Sequence, residues 1–325
     1  MSERGSKKLW GVICVILASM CYGITPILSN TALKGGLPAD FLTRVLGFVP
    51  ASMVMDVSNA MPNESVVGFG MGIACVLSII VCLVTRKSLR IPRRQALELA
   101  LYGGGGFTAT MLLISYAYLC IPAGTTIVLN FTYPIIVAAI SALFFKEKLP
   151  ALGFLALLCA VAGVALISGL GGGDAIGTRP ALGIPLALLS GLAYAIYFLA
   201  VRHASYSGLD TSVSNVYITG SAAILCFAIA FITGRFRLPP TGFMWLVLLS
   251  SGILGYMIGL RLLLAGLRLL GSTDASALNT LEPVFASLTG LLVFGETMGL
   301  IKTVGAALVV LGAAVTIIVC GKKTA

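Results

Sequence analysis

Two ionisable side chains stand where ionisation costs free energy. Glu282 lies inside the apolar run "ASALNTLEPVFASLTGLLVF" and Arg261 inside "GILGYMIGLRLLLAGL". A charge at the centre of a bilayer costs at least ~2.5 kcal/mol on insertion scales. Two chemistries would repay that cost: holding an oppositely charged group of a small molecule, or holding a proton. For Glu282 the competing reading is a structural pair with Arg261. For Arg261 it is snorkelling to the nearer interface.

The same run carries a second polar feature, and the chain repeats it. Asn130 precedes Pro134 in "NFTYP", and Asn279 precedes Pro283 in "NTLEP", 149 residues later. Proline has no N–H, so the carbonyl four residues earlier loses its helical donor. In each motif that carbonyl belongs to the asparagine. Each site therefore offers a freed carbonyl and a carboxamide, which in hydrocarbon must meet protein, water or ligand. Either these groups line a polar cavity, or each amide heals its own kink. Tyr133 occupies the motif position that Glu282 fills in the second copy. Tyr22, Tyr194, Tyr116 and Tyr118 supply further aromatic side chains that would wall a cavity, though each is individually suited to packing. Glu147 and Glu296 close the two runs and are expected to cap the helix that follows, near its positive end.

The elements that position these residues follow from composition. Apolar residues make up 58% of the chain and charged residues 10%. A soluble domain has roughly a quarter of its residues charged. Apolar windows of about 20 residues, enough to cross a ~30 Å hydrocarbon core, recur along the whole chain. The expected fold is all-α, a polytopic membrane protein with ten transmembrane helices at 9–31, 66–86, 95–119, 123–145, 150–170, 181–202, 212–233, 243–266, 273–294 and 299–320. The first is read as a span, not a leader, because no small-residue cleavage site follows it. The small-residue tracts "GFGMG" and "GILGYMIG" are expected to let helices approach closely.

Ten spans place both termini on one side. With the termini inside, inner segments hold fourteen Lys and Arg and outer segments six. That bias predicts cytoplasmic termini in a plasma (inner) membrane. The same loops account for the net charge of +10 without invoking nucleic acid. All eight cysteines fall in apolar runs with no CxxC, and the single histidine is His203, so neither metal nor cofactor is expected.

The chain is written twice. Residues 129–165 lie over 278–314 without a gap, aligning Asn130 with Asn279, Pro134 with Pro283 and Glu147 with Glu296. Upstream, a shift of 172 pairs Tyr22 with Tyr194. The halves are read as 1–175 and 176–325, each with five spans. Five is odd, so the copies enter the membrane from opposite sides as inverted repeats, an architecture of secondary transporters. The difference in shift places about 23 extra residues near 38–60 in the first half. With Arg44, Pro50 and Asp56 inside it, that segment is expected to be an outer loop with a short interfacial or re-entrant helix.

On these residues the chain resembles the drug/metabolite transporter superfamily, in its ten-span form with two EamA domains. The resemblance rests on "NFTYPIIVAAISALFFKEKL", "NTLEPVFASLTGLLVFGETM", "SGLAYAIYF" and "GAALVVLGAAV". It implies a cavity walled by the first, third, fourth, sixth, eighth and ninth spans, with the fifth and tenth peripheral. It implies transport of amino acids, other metabolites or drugs, often outward. The insert at 38–60 and Arg261 depart from the pattern.

The function expected is therefore a secondary transporter of small metabolites, amino-acid-like or otherwise polar or amphipathic, working by alternating access and exporting. A drug, cofactor or nucleoside-type carrier of the same fold is the alternative. The expected partners are a small-molecule substrate and the bilayer, with protons as a coupling ion and a homodimer both left open. An intramembrane enzyme lacks a credible catalytic set here, and a non-transporting scaffold or channel leaves the inverted duplication without a use.

Overall fold

The computed structural model describes residues 3–121, 123–146, 150–168, 179–289, 291–292 and 299–322. Among these, the chain is a bundle of α-helices and its one β feature is an isolated bridge between Leu37 and Val54. Eight helical stretches are long and apolar enough to cross a membrane. A shorter apolar helix (Ala151–Ile167) and the interrupted helix that carries Glu282 supply two more. The protein is a polytopic all-α membrane protein.

In chain order the helices are α1 (Glu3–Lys34), α2 (Ala39–Leu46), α3 (Asn63–Val84), α4 (Arg93–Glu98), α5 (Gly106–Tyr118), α6 (Ala123–Asn130), α7 (Tyr133–Phe144), α8 (Ala151–Ile167), α9 (Pro180–His203), α10 (Thr211–Ile232), α11 (Gly242–Ser251), α12 (Leu260–Leu270), α13 (Ser272–Asn279), α14 (Glu282–Thr289) and α15 (Leu300–Lys322). Proline punctuates their starts. Pro38, Pro62, Pro92 and Pro150 stand at N-caps and Pro180 in a first turn, positions where the missing N–H is not needed. Asp210 and Thr241 cap α10 and α11 by accepting from the Ser212 and Met244 amides.

The third and eighth spans are each interrupted by a π-helical segment, Leu99–Gly105 and Gly252–Gly259. Both are glycine-rich, and such widened turns recur at functional sites. Asn215 of α10, fully buried, donates its Nδ2 to the carbonyls of Tyr256 and Met257 at 3.1 and 3.0 Å, which steadies the second segment. Glycines here replace side chains with neighbouring helix. A Cβ on Gly104 would fall 2.0 Å from Ser221 Oγ and 2.9 Å from the Ala222 amide of α10. The small-residue tracts do serve as packing surfaces: a Cβ on Gly255 would fall 2.6 Å from Thr25 Oγ1 of α1.

The most extensive helix pairings join one half of the chain to the other: α3 with α10, α8 with α15, α5 with α9, and α1 with α12. α1 also packs on α13 and α14, and α9 on α6 and α7. The fifth and tenth spans thus pair with each other, while the first and sixth lie against the interrupted helices.

The segment near 38–60 does not cross the membrane. α2 has eight residues, about 12 Å of helix, well short of a ~30 Å core. Two single-turn helices, Ala51–Met53 and Val57–Asn59, follow it. The segment folds back on Gly35 and Gly36, whose φ angles of 78° and 154° favour glycine. It is tied to the second half by Arg237, whose guanidinium donates to the Ala60 carbonyl at 2.7 Å and also to that of Ser58.

Candidate functional site

At both Asn-Pro motifs the helix stops and restarts. α6 ends at Asn130 and α7 begins at Tyr133; α13 ends at Asn279 and α14 begins at Glu282. Pro134 and Pro283 therefore lie in the first turn of the second segment, where proline fits, so the structure shows a break and not a kink in a continuous helix. Neither asparagine side chain bonds the backbone at its own break. Threonine hydroxyls do so, with Thr132 Oγ1 donating to the Leu129 carbonyl at 2.7 Å and Thr280 Oγ1 to that of Ala277 at 2.6 Å. Both amides are left to reach across to another helix.

They reach serines on the first and sixth spans. Asn130 Nδ2 donates to Ser190 Oγ of α9 at 2.8 Å, and that hydroxyl donates onward to the Ala187 carbonyl at 2.6 Å. Asn279 Oδ1 accepts from Ser19 Oγ of α1 at 3.2 Å; the Ser19 proton is shared with the Val15 carbonyl at 2.9 Å. Each break is thus pinned to a helix of the other half. Glycine lets the backbones meet there. A Cβ on Gly191 would lie 2.8 Å from the Asn130 carbonyl oxygen, and one on Gly23 would lie 2.5 Å from Phe285 Cβ.

The second break carries more. Asn279 Nδ2 donates both to Tyr133 Oη at 3.0 Å and to Glu282 Oε2 at 3.3 Å. Asn279 therefore joins α1, α7 and α14 through one carboxamide, and it is fully buried. Its two donors and its oxygen are all engaged. That makes it a residue that positions others. Glu282 itself is half-buried as a residue, and its carboxyl accepts from Asn279.

Around this hub stands a wall of aromatic rings. Tyr133 lies 4.7 Å from Tyr194, 5.2 Å from Phe198 and 5.8 Å from Phe131 between ring centroids. Tyr194 and Tyr197 are parallel at 5.9 Å. Phe107 extends the wall toward Tyr256 at 5.9 Å. Tyr22 and Tyr194 lie with Tyr133 in one buried cluster. The hydroxyls of Tyr22 and Tyr197 are buried without a hydrogen-bond partner among the described residues.

The structure thus brings together Glu282, Asn279, Tyr133, Tyr22 and Tyr194, with Asn130 bonded to Ser190 one turn before Tyr194 on α9. It separates two expected members. Arg261 makes no ion pair with Glu282; it sits half-buried within electrostatic range of Cys82 near the end of α3. Tyr116 lies instead beside Leu119, Cys120, Arg179, Leu182 and Leu186, around a groove of about 510 Å³ at the junction of α5 and α9. Glu147 and Glu296 lie outside the described residues, and nothing is described of the Tyr118 side chain. Among the described residues no cluster of His, Cys, Asp or Glu could hold a metal ion.

Ser19 and Ser190 are the members that sequence reasoning missed. A signal was present: Ser190 stands four residues before Tyr194 and Ser19 three before Tyr22, spacings that share a helix face. They fall one register apart in the aligned copies, so the repeat does not pair them.

Comparison with known proteins agrees with this architecture. The model of the EamA-like transporter family matches twice, over residues 46–169 and 181–318. The uncharacterized transporter YxxF of Bacillus subtilis (strain 168) is 27% identical over 186 residues, 57% of this chain and 58% of that protein. An uncharacterized transporter of Archaeoglobus fulgidus is 30% identical over 132 residues, 40% of this chain and 46% of that protein. The chain thus spans about half the length of these curated relatives. A solved structure described as "Crystal structure of protein" superposes with a TM-score of 0.73 over 98% of this chain and 99% of the other, at 18% identity, a likeness of fold. With two matches that together cover most of its length, the chain belongs to the EamA-like transporter family.

Proposed function

We propose that this protein is a secondary transporter of small metabolites that works by alternating access, with Glu282 in the site that meets substrate or proton. The observation that carries the reading is the bonding of Asn279, which couples the Glu282 carboxyl to Tyr133 and Ser19 on helices of the first half. A change at the carboxyl is thereby felt where the halves meet. The boundary between those halves falls near residue 175 in this reading. The two breaks give the helices that line the site a place to bend.

Protons are the coupling ion that the residues favour. Burying a carboxylate without a cation is costly, and a proton or a cationic group relieves the same cost. Export follows if the proton gradient drives the exchange, and the charge bias of the loops favours termini in the cytoplasm. The test is flux in proteoliposomes under an imposed pH gradient. Glu282→Gln is expected to abolish proton-driven flux while leaving exchange between equal substrate pools. Unchanged pH-driven uptake in that variant refutes the coupling, and absence of saturable flux or counterflow in the wild type refutes transport.

A further inference from the structure

We infer that the substrate of this site is an amphipathic organic monocation, an amine with one ammonium group on an apolar or aromatic body. The inference rests on the transporter reading above and adds to it the class of molecule carried.

Charge comes first. Glu282 makes no ion pair among the described residues, and Arg261, the cation expected beside it, makes none with it. Among the described residues the site therefore presents one carboxyl with no ion-pair partner. A carboxylate ligand would be repelled. A zwitterionic amino acid would find a partner for its ammonium and none for its carboxylate, which would then be desolvated unpaired. A monocation meets the one charge the site holds.

The walls point the same way. Tyr133, Tyr194, Tyr197 and Phe198, from α7 and α9, turn rings toward one another beside the Asn279 hub, and Tyr22 of α1 belongs to the same buried cluster. Aromatic faces carry negative potential and attract ammonium groups within about 6 Å of the ring centroid. Tyr22 is over nine-tenths buried and Tyr197 entirely so, yet neither hydroxyl has a partner among the described residues. A primary ammonium has three N–H donors. The Glu282 carboxyl and the unpartnered Tyr22 hydroxyl are acceptors for them. In the structure the rings rest on one another at 4.7–5.9 Å, so the ligand enters as they part.

The experiment uses four probes that share one phenylethyl body: 2-phenylethylamine (cation), phenylalanine (zwitterion), 3-phenylpropionate (anion) and 2-phenylethanol (neutral). Binding to the purified full-length protein in detergent is measured by calorimetry at neutral pH, and counterflow of each bound probe is measured in proteoliposomes. The amine is expected to bind about tenfold or more tightly than the other three, the scale that one well-placed charge contact supplies. Glu282→Gln should erase that preference, Glu282→Asp should keep most of it, and Tyr194→Leu should lower amine affinity severalfold. The inference is overturned if phenylalanine or 3-phenylpropionate binds best, if the amine preference survives Glu282→Gln, or if the amine shows no binding at millimolar concentration. Counterflow of phenylalanine with no amine preference would sink the substrate class and leave the transporter reading standing. Glu282-dependent amine binding without counterflow would do the reverse.

Discussion

The two asparagines look equivalent in the repeat, and the structure predicts that they are not. Asn279→Leu and Asn130→Leu keep the branching of the side chain and remove the amide's donors and acceptor. Interhelical hydrogen bonds in membranes average ~0.6 kcal/mol and reach ~1.7. Asn130 makes one such bond, to Ser190, and Ser190 keeps its second partner at Ala187. Its loss should cost about 0.5–1 kcal/mol. Asn279 makes two interhelical bonds, to Ser19 and Tyr133. Ser19 retains the Val15 carbonyl, but Tyr133, fully buried, is left without a partner for its hydroxyl. An orphaned buried hydroxyl adds about 1–3 kcal/mol. Asn279→Leu should therefore cost about 2–4 kcal/mol in total, clearly more than its counterpart. The assay is equilibrium unfolding in mixed micelles with increasing dodecyl sulfate fraction. A double-mutant cycle with Tyr133→Phe isolates the orphan, since Asn279→Leu should cost less once the hydroxyl is absent. Equal losses at the two asparagines, or strict additivity in the cycle, would refute the assignment of Asn279 as the hub.

Two further outcomes follow from close helix contacts. Gly23→Ala places a Cβ 2.5 Å from Phe285 Cβ and 2.8 Å from the Ala286 amide, so it should destabilise the protein by about 1–3 kcal/mol; Gly72→Ala, with nothing nearer than 3.8 Å, should be close to neutral in the same unfolding assay. A Cβ on Gly220 would lie 3.1 Å from Cys75 Sγ, so Gly220→Cys should form a disulfide between α10 and α3 under mild oxidant while substrate flux is retained.

How much of this was legible in the sequence depended on the physics behind each feature. Hydrophobic length is dictated by bilayer thickness, so the spans could be read directly; Ala151–Ile167 and Thr211–Ile232 fall within two or three residues of their expected limits. The insert reads as non-spanning because Arg44, Pro50 and Asp56 interrupt it. The breaks at Asn130 and Asn279 follow from the missing proline N–H. What hydropathy leaves open is the rotation of each helix about its axis. In a chain this apolar, lipid-facing and protein-facing sides differ little in composition. Sequence therefore names Arg261 and Tyr116 as candidates, while in the structure Arg261 makes no ion pair with Glu282 and Tyr116 lines a separate groove. Ser19 and Ser190 have meaning only once α1 meets α13 and α9 meets α6. The π segments carry glycine as their only mark, and the same tracts serve equally as packing surfaces.

The hydrogen bonds at the two ends of the bundle bear on which helices move. At one end Lys87 pairs with Asp210 at 2.8 Å, Tyr217 Oη donates to the Leu89 carbonyl at 2.8 Å, and Gln95 Nε2 donates to that of Ser205 at 3.0 Å. At the other, Arg235 pairs with Glu64 at 3.3 Å, the Arg237 amide donates to Ser65 Oγ at 3.0 Å, and the Arg237 guanidinium holds the end of the insert. Both sets join the first half to the second, and both flank the α3–α10 pair. A gate that alternates would show one set made and the other broken. Here both are made at once. On the alternating-access reading proposed above, the α3–α10 pair is expected to act as a spine and the interrupted helices to rock, with hinges at their breaks, 131–132 and 280–281. That is why the disulfide that Gly220→Cys forms with Cys75 is expected to spare transport. If oxidation of the Gly220→Cys variant stops flux, and reduction restores it, the spine moves during the cycle and the hinges must be sought elsewhere.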